Sequence, residues 1–307
     1  MQWCKLGLIW PCKSGPDWRH THAGLPTPID LGDGRLRVFF YGQSQDSIGR
    51  IGYVDLASEN PCEILAVSPA PVLDIGQPGS FDDHGVVPVS VLRVGDGRIY
   101  LYYVGFELCQ QIRYRLFTGL AISQDNGDSF SKVSQAPVLD RSNQELLFRC
   151  GTHVRWENDR FKAWYVAGSA WMSLHGKSVP VYDMRYLESG DGIHWSDEGQ
   201  VVMQIDPERE HGFGRPYVIP HQNGGYEMFY SIRSLSSASY QLGYATSQDG
   251  LQWVRRDQEL GLNCSASGWD SQSQCFPAVI TVGQQRYMFY NGNNFGAEGF
   301  GLALQEN

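Results

Sequence analysis

The sequence predicts an all-β fold, a five-bladed β-propeller whose last blade is completed by the N-terminal strand. Three observations predict it. A strand-and-turn phrase returns along the chain, an alternating aromatic phrase precedes each copy, and the two recur with an even period that fills all 307 residues. The period leaves no room for a second domain, so residues 1–307 read as one domain.

The turn phrase reads Gly119–Phe130, Arg185–Trp195 and Gly243–Trp253, with a degenerate copy at Arg50–Leu56 and a truncated one at Gly299–Leu304. Its Ser-x-Asp-Gly centre supplies a side-chain-capped turn and a glycine that tolerates positive φ. The aromatic phrase reads Leu36–Gly42, Ile99–Gly105, Phe161–Gly168, Tyr226–Ser231 and Tyr287–Gly292, each the pattern of a buried strand. Ahead of it stands a third phrase, aligned on Pro26, Pro88, Thr152, Pro216 and Pro277 at steps of 62, 64, 64 and 61 residues. Five units of four strands follow, except that only three strands fit after Pro277. The segment Trp3–Trp10 supplies the fourth and removes the open edges of the ring. A β-sandwich also has short strands and regular turns, but it does not explain the even period.

Composition narrows the function. With 42% hydrophobic and 19% charged residues the chain is neither disordered nor a coiled coil. No apolar run is long enough to span a bilayer, so no membrane role is expected. A net charge of −9 without a basic block argues against nucleic-acid binding. The seven cysteines form no C-x-x-C pair or zinc-like spacing, and the N-terminus lacks a leader pattern, which reads as a reduced, cytoplasmic protein. No pattern calls for a metal or a cofactor.

In a propeller the first residues of each inner strand gather at one mouth of a central channel. The segments in that column are Arg19–Leu25, Phe81–Val87, Glu145–Gly151, Arg209–Arg215 and Asp270–Phe276. Polar side chains at equivalent places around one axis read as a ligand site. Its candidates are His22, Asp82, Asp83, His84, Arg149, Glu210, Arg215, Asp270 and Gln274. Asp82 equally reads as a turn cap, Glu210 as part of a charged surface run, and Asp270 as an anchor for its own loop. Arg149 and Arg215 read either as forks for an anionic ligand or as partners of the funnel carboxylates. Trp171 stands in a long excursion, Gly168–Asp183, that is either a lid or a solvated loop. Asn291 and Asn293 read as contacts to sugar hydroxyls or as turn residues.

These residues carry a resemblance. The Ser-x-Asp-Gly-x-x-Trp repeats and Pro-led inner strands resemble the five-bladed propeller glycosidases, a superfamily that includes arabinanases, xylosidases, invertases, levansucrases and mannoside phosphorylases. Over the whole chain, Pro71–Asp74, Phe81–Pro88, Gly214–Val218, Gly268–Ser271, Cys275–Pro277, Tyr290–Asn293 and Gly299–Gly301 look like a glycosidase-like branch that accompanies polysaccharide biosynthesis genes. The resemblance implies an enzyme acting on a glycosidic bond, a hydrolase or a phosphorylase/transferase. It implies Asp83 as base or nucleophile and Glu210 as acid, with Asp270 the remaining carboxylate, because such a bond needs one protonated and one ionised carboxyl. The sequence departs from that pattern at Arg149 and Gly151, where a modulating Asp is expected, at His22–Pro26, where an Asp-Pro start is expected, and at Gln272, where a glutamate is expected. The departures favour an anionic ligand: an acidic sugar, a sugar phosphate or a nucleotide-sugar. The alternatives are a propeller that binds carbohydrate without turning it over and a biosynthetic enzyme acting on a nucleotide-linked or acidic sugar.

Overall fold

Apolar and aromatic residues at alternate positions, punctuated by Gly, Asp and Asn turns, give strands throughout. The computed structural model describes residues 1–12, 15–236 and 240–306, and among them there is no α-helix. The chain is all-β, as the repeat predicts. After β1 (Trp3–Pro11) come β2 (Thr21–Asp30), β3 (Arg35–Gln43), β4 (Gly49–Ala57) and β5 (Asn60–Val67). The second unit is β6 (Val86–Arg93), β7 (Ile99–Leu108), β8 (Tyr114–Ser123) and β9 (Ser131–Lys132). The third is β10 (Phe148–Glu157), β11 (Arg160–Leu174), β12 (Lys177–Ser189) and β13 (Gln200–Met203). The fourth is β14 (Glu210–Pro220), β15 (Tyr226–Ser234), β16 (Tyr240–Ser247) and β17 (Val254–Arg255), and β18 (Cys275–Val282), β19 (Gln285–Asn291) and β20 (Gly299–Gln305) end the chain.

Each unit is an antiparallel meander, and β1 pairs with β20 from Trp3–Gln305 to Pro11–Gly299. The first strands of the units pack in a cycle: β2 on β6, β6 on β10, β10 on β14, β14 on β18 and β18 on β2. One detail departs from five separate sheets. β10 pairs in parallel with β8, through Phe148–Leu116 and Arg149–Phe117, so the second and third units share one eight-stranded sheet.

The turn phrase has one local solution. Ser189 Oγ accepts from Gly192 N, and Asp191 Oδ1 accepts from Ile193 N and His194 N. Ser247, Gly250, Asp249, Leu251 and Gln252 repeat that pattern. Gly192 and Gly250 have φ of +74° and +78°, which explains the glycine. The turn then docks its neighbour: Tyr102 Oη donates to Gly192 O, and Trp164 Nε1 donates to Gly250 O. The excursion after Gly168 is no irregular loop. β11 and β12 continue as a ladder to Leu174–Lys177 after a bulge between Ala167 and Ala170. Any side chain at Gly168 would strike the Val181 carbonyl.

Candidate functional site

Most of the carboxylates that precede the inner strands are consumed by the framework. In four units a tyrosine of the aromatic phrase donates to a buried or half-buried carboxylate, which also holds a cation. Tyr103 donates to Asp82 (3.0 Å), which pairs with Lys132 (2.6 Å). Tyr165 donates to Glu145 (2.8 Å), which pairs with Arg149 (2.5 Å) and Arg185 (3.0 Å). Tyr230 donates to Asp257 (2.6 Å), which pairs with Arg255 (2.8 Å). Tyr290 donates to Asp270 (3.0 Å), which pairs with Lys5 (2.5 Å). Burial first, then the adjacent carboxylate, pushes all four phenols above their ordinary pKa.

Several of the sequence candidates stand in this framework. Asp82, Asp270 and Arg149 are parts of these triads. Arg149 also donates to Asp140 O and Ser196 O. Glu210 makes a two-pronged contact with Arg255 (2.6 and 2.9 Å) and lines a different cavity with Asp257 and Gln274. Gln274 donates to Asn263 O and Asp270. Asp83 accepts from Gly79 N (2.8 Å) and lines a separate, smaller depression with Ile75, Glu107 and Leu108. Asp83 and Glu210 therefore line different depressions, so the geometry gives no support to pairing them. Arg215 is buried and donates to Pro26 O (2.8 Å) and Thr27 Oγ1 (3.0 Å), a brace between β14 and β2; burial lowers its pKa to about 10. Asn291 clamps Leu25 N, Ala23 O and Gly299 O, and Asn293 clamps Gln272 N, Ser273 N and Gly268 O. Trp171 packs on Tyr114 and Phe148.

What remains is a cavity of about 590 Å³ to which all five units contribute. Of the candidates above, His22 and His84 line it. His211, Arg233, Tyr240 and Phe276 line its other side, and the β11–β12 hairpin, including His175 and Lys177, covers part of it. No Asp or Glu lines it, although the chain carries a net charge of −9. No group of three or more His, Cys, Asp or Glu is placed to hold a metal among the described residues.

Two side chains there have defined chemistry. His211 Nδ1 lies 2.8 Å from the carbonyl of Pro180. A carbonyl only accepts, so Nδ1 carries the proton and Nε2 keeps its lone pair. Burial lowers the His211 pKa against the opposing pull of that hydrogen bond, and Arg233 lowers it further. The ring is neutral at neutral pH. Arg233 lies between the rings of Tyr182 and Tyr240, 4.9 and 4.8 Å from their centroids. Among the described residues no hydrogen bond or ion pair reaches its guanidinium, and its Nε is buried. Burial also lowers the His22 pKa.

Arg233 escaped the sequence expectations because those followed what repeats. It lies three residues after Tyr230, and the equivalent positions are Ser44, Phe106, Gly168 and Asn293. An arginine where no other unit has a charge was the available signal.

No protein-family model matches the chain. The chain is 34% identical over 310 residues, the full length of both proteins, to the Uncharacterized protein Rv1502 of Mycobacterium tuberculosis. Its fold matches a glycoside hydrolase with a TM-score of 0.76 at 18% identity, covering 99% of this protein and 91% of the other. It also matches the β-1,2-mannobiose phosphorylase of Listeria innocua in its β-1,2-mannobiose complex, with a TM-score of 0.68 at 12% identity, covering 93% and 90%. The chain belongs to the family of Rv1502, and it shares its fold with these glycoside hydrolase and phosphorylase structures.

Proposed function

We propose that the protein is a carbohydrate-active enzyme built as one closed five-bladed propeller, and that it handles a glycosyl group in the central cavity with His211 as proton acceptor. The observation that carries this reading is the lining of that cavity, which has several imidazoles and no carboxylate. Two-carboxylate glycoside hydrolysis needs an acid and a base about 5–9.5 Å apart across the bond, and this cavity offers neither. A neutral imidazole with its proton fixed on Nδ1 is a base at Nε2 and takes a proton from a sugar hydroxyl. The Pro180 carbonyl then supports the imidazolium through Nδ1–H. That arrangement suits glycosyl transfer to or from an activated donor, such as a nucleotide-linked sugar in polysaccharide biosynthesis, better than hydrolysis by Asp83 and Glu210.

The same lack of carboxylates favours a second reading, a propeller that only binds its sugar. Turnover of nucleotide-linked sugars, sugar phosphates and glycosides, followed by mass spectrometry, separates the two. The enzyme reading expects His211→Gln to abolish turnover while ligand affinity stays within about threefold. Turnover that survives His211→Gln but falls with Asp83→Asn or Glu210→Gln returns the chemistry to the carboxylates. Binding without turnover of any donor leaves the binding propeller.

A further inference from the structure

We infer that the sugar held in the central cavity is itself anionic, with its phosphate or carboxylate seated on the Arg233 guanidinium. The inference rests on the carbohydrate reading above and names its substrate class.

The buried arginines show what this fold does with a guanidinium that has only a structural duty. Arg37 pairs with Asp55 (2.7 Å) and Asp128 (2.7 Å). Arg149 pairs with Glu145, and Arg215, without a carboxylate, donates to Pro26 O and Thr27 Oγ1. Arg233 has none of these partners among the described residues. Tyr182 and Tyr240 offer it ring contacts, which attract the charge but satisfy none of its five N–H donors. Arg233 is half-buried, and its buried Nε is left without an acceptor, which is costly. Arg233 lines the cavity, and an oxyanion is the partner whose geometry matches its fork.

The surroundings agree. Arg113 and Lys177 also line the cavity, and neither has an ion-pair partner among the described residues. Three permanent cations and no carboxylate give this one cavity a charge opposite to that of the chain. The hydroxyl-bearing part of the ligand also has its place: His211 Nε2 accepts a hydroxyl proton, and Tyr41, Phe276 and Phe295 offer aromatic walls to a sugar ring. An anion and a hydroxyl-rich ring in one cavity describe a sugar phosphate or a uronic acid. A neutral sugar with free phosphate beside it has the same chemistry from two molecules, so the test separates them.

The experiment is calorimetric titration of the intact protein with glucose, mannose and galactose. Each is used as free hexose, hexose 1- and 6-phosphate and hexuronic acid, with and without inorganic phosphate. At least one charged form is expected to bind about tenfold or more tighter than its neutral parent, and this advantage falls as salt is raised. Arg233→Gln is expected to remove the advantage and leave the weak binding of the neutral parent. Arg233→Lys keeps the charge without the fork and restores part of it. Lys177→Gln, at an exposed position, is expected to weaken the charged form by about threefold without disturbing the fold. Phosphates preferred over uronates assign the group as phosphate, and the reverse assigns carboxylate. Neutral sugars that bind as well as charged ones, with no effect of Arg233→Gln, overturn the anion seat and keep the carbohydrate reading. Tight binding of a neutral sugar only with added inorganic phosphate overturns it in favour of two separate ligands. Binding of inorganic phosphate but of no sugar overturns the carbohydrate reading, and no binding of any probe overturns both.

Discussion

The two ends of the inner strands carry the same number of permanent cations and treat them oppositely. At the starts of β2, β6, β14 and β18 lies the cavity with Arg113, Lys177 and Arg233, none of which has a carboxylate partner among the described residues. At the other end, the ends of β2, β6, β10, β14 and β18 line a depression of about 710 Å³ with Arg93, Arg155 and Arg286. There Arg155 pairs with Glu157 (2.6 Å), Arg286 pairs with Glu227 (2.7 Å), and Arg93 donates to Gly97 O and Asn126 Oδ1. A count of cations does not separate the two ends. What separates them is whether the framework has already supplied the acceptors.

The comparison breaks first on stability. Glu227 is buried and holds both Arg286 and the Tyr244 hydroxyl (2.8 Å), so Glu227→Ala strips two buried partners at once. It is expected to cost about 3 kcal/mol in urea unfolding. Arg233→Gln removes a charge that has no partner to lose and is expected to be neutral or stabilising, within about 1 kcal/mol. Equal losses from both would make Arg233 a structural residue and erase the contrast.

The next effect is set by pH. His153, at the paired end, is buried on Val218 O, and burial together with Arg155 and Arg215 holds its pKa well below the ordinary 6.5. His211 is lowered in the same direction. As pH falls through 6.5 the unfolded chain takes up protons that the folded chain refuses, so stability declines with falling pH until the folded pKa is reached. Each such histidine is expected to remove up to about 2 kcal/mol between pH 7 and pH 5. His153→Gln is expected to flatten that slope. A slope unchanged in the variant would show that His153 is protonated in the folded state. On the binding side, Arg155→Gln and Arg286→Gln are expected to leave sugar-phosphate affinity within about twofold, which isothermal titration measures directly.

The fold was legible because repetition is a property of the chain itself. The Ser-x-Asp-Gly turns, the aromatic strands and the N-terminal strand that pairs with β20 all stand in the sequence with their spacing. The site was much less legible, for the same reason. Polar residues at equivalent places in successive units read as a ligand site, whereas Asp82, Glu145 and Asp270 are copies of one framework triad with Tyr103, Tyr165 and Tyr290. A structural device repeats with the unit it holds together. A ligand is not five-fold symmetric, so a residue proposed to meet it can break the repeat, as Arg233 does, although His22 and His84 in the same cavity stand at equivalent places. Neither the pairing of Tyr290 with Asp270 nor the lack of a partner at Arg233 can be read before the strands are assembled, since both depend on residues far apart in the chain.

Asp83 gives the smallest effect and the sharpest check on that argument. It alone among the carboxylates of its segment is outside a triad: its one side-chain hydrogen bond is from Gly79 N, and it lines the smaller depression rather than the cavity that holds Arg233. Asp83→Asn keeps an oxygen to accept that bond and is expected to cost no more than about 0.5–1 kcal/mol, with sugar affinity and turnover unchanged. A variant that is stable but inactive would put Asp83 back at the reacting bond. It would mean that His84, which lines both depressions, is the wall a substrate reaches across, so that the two depressions act as one site.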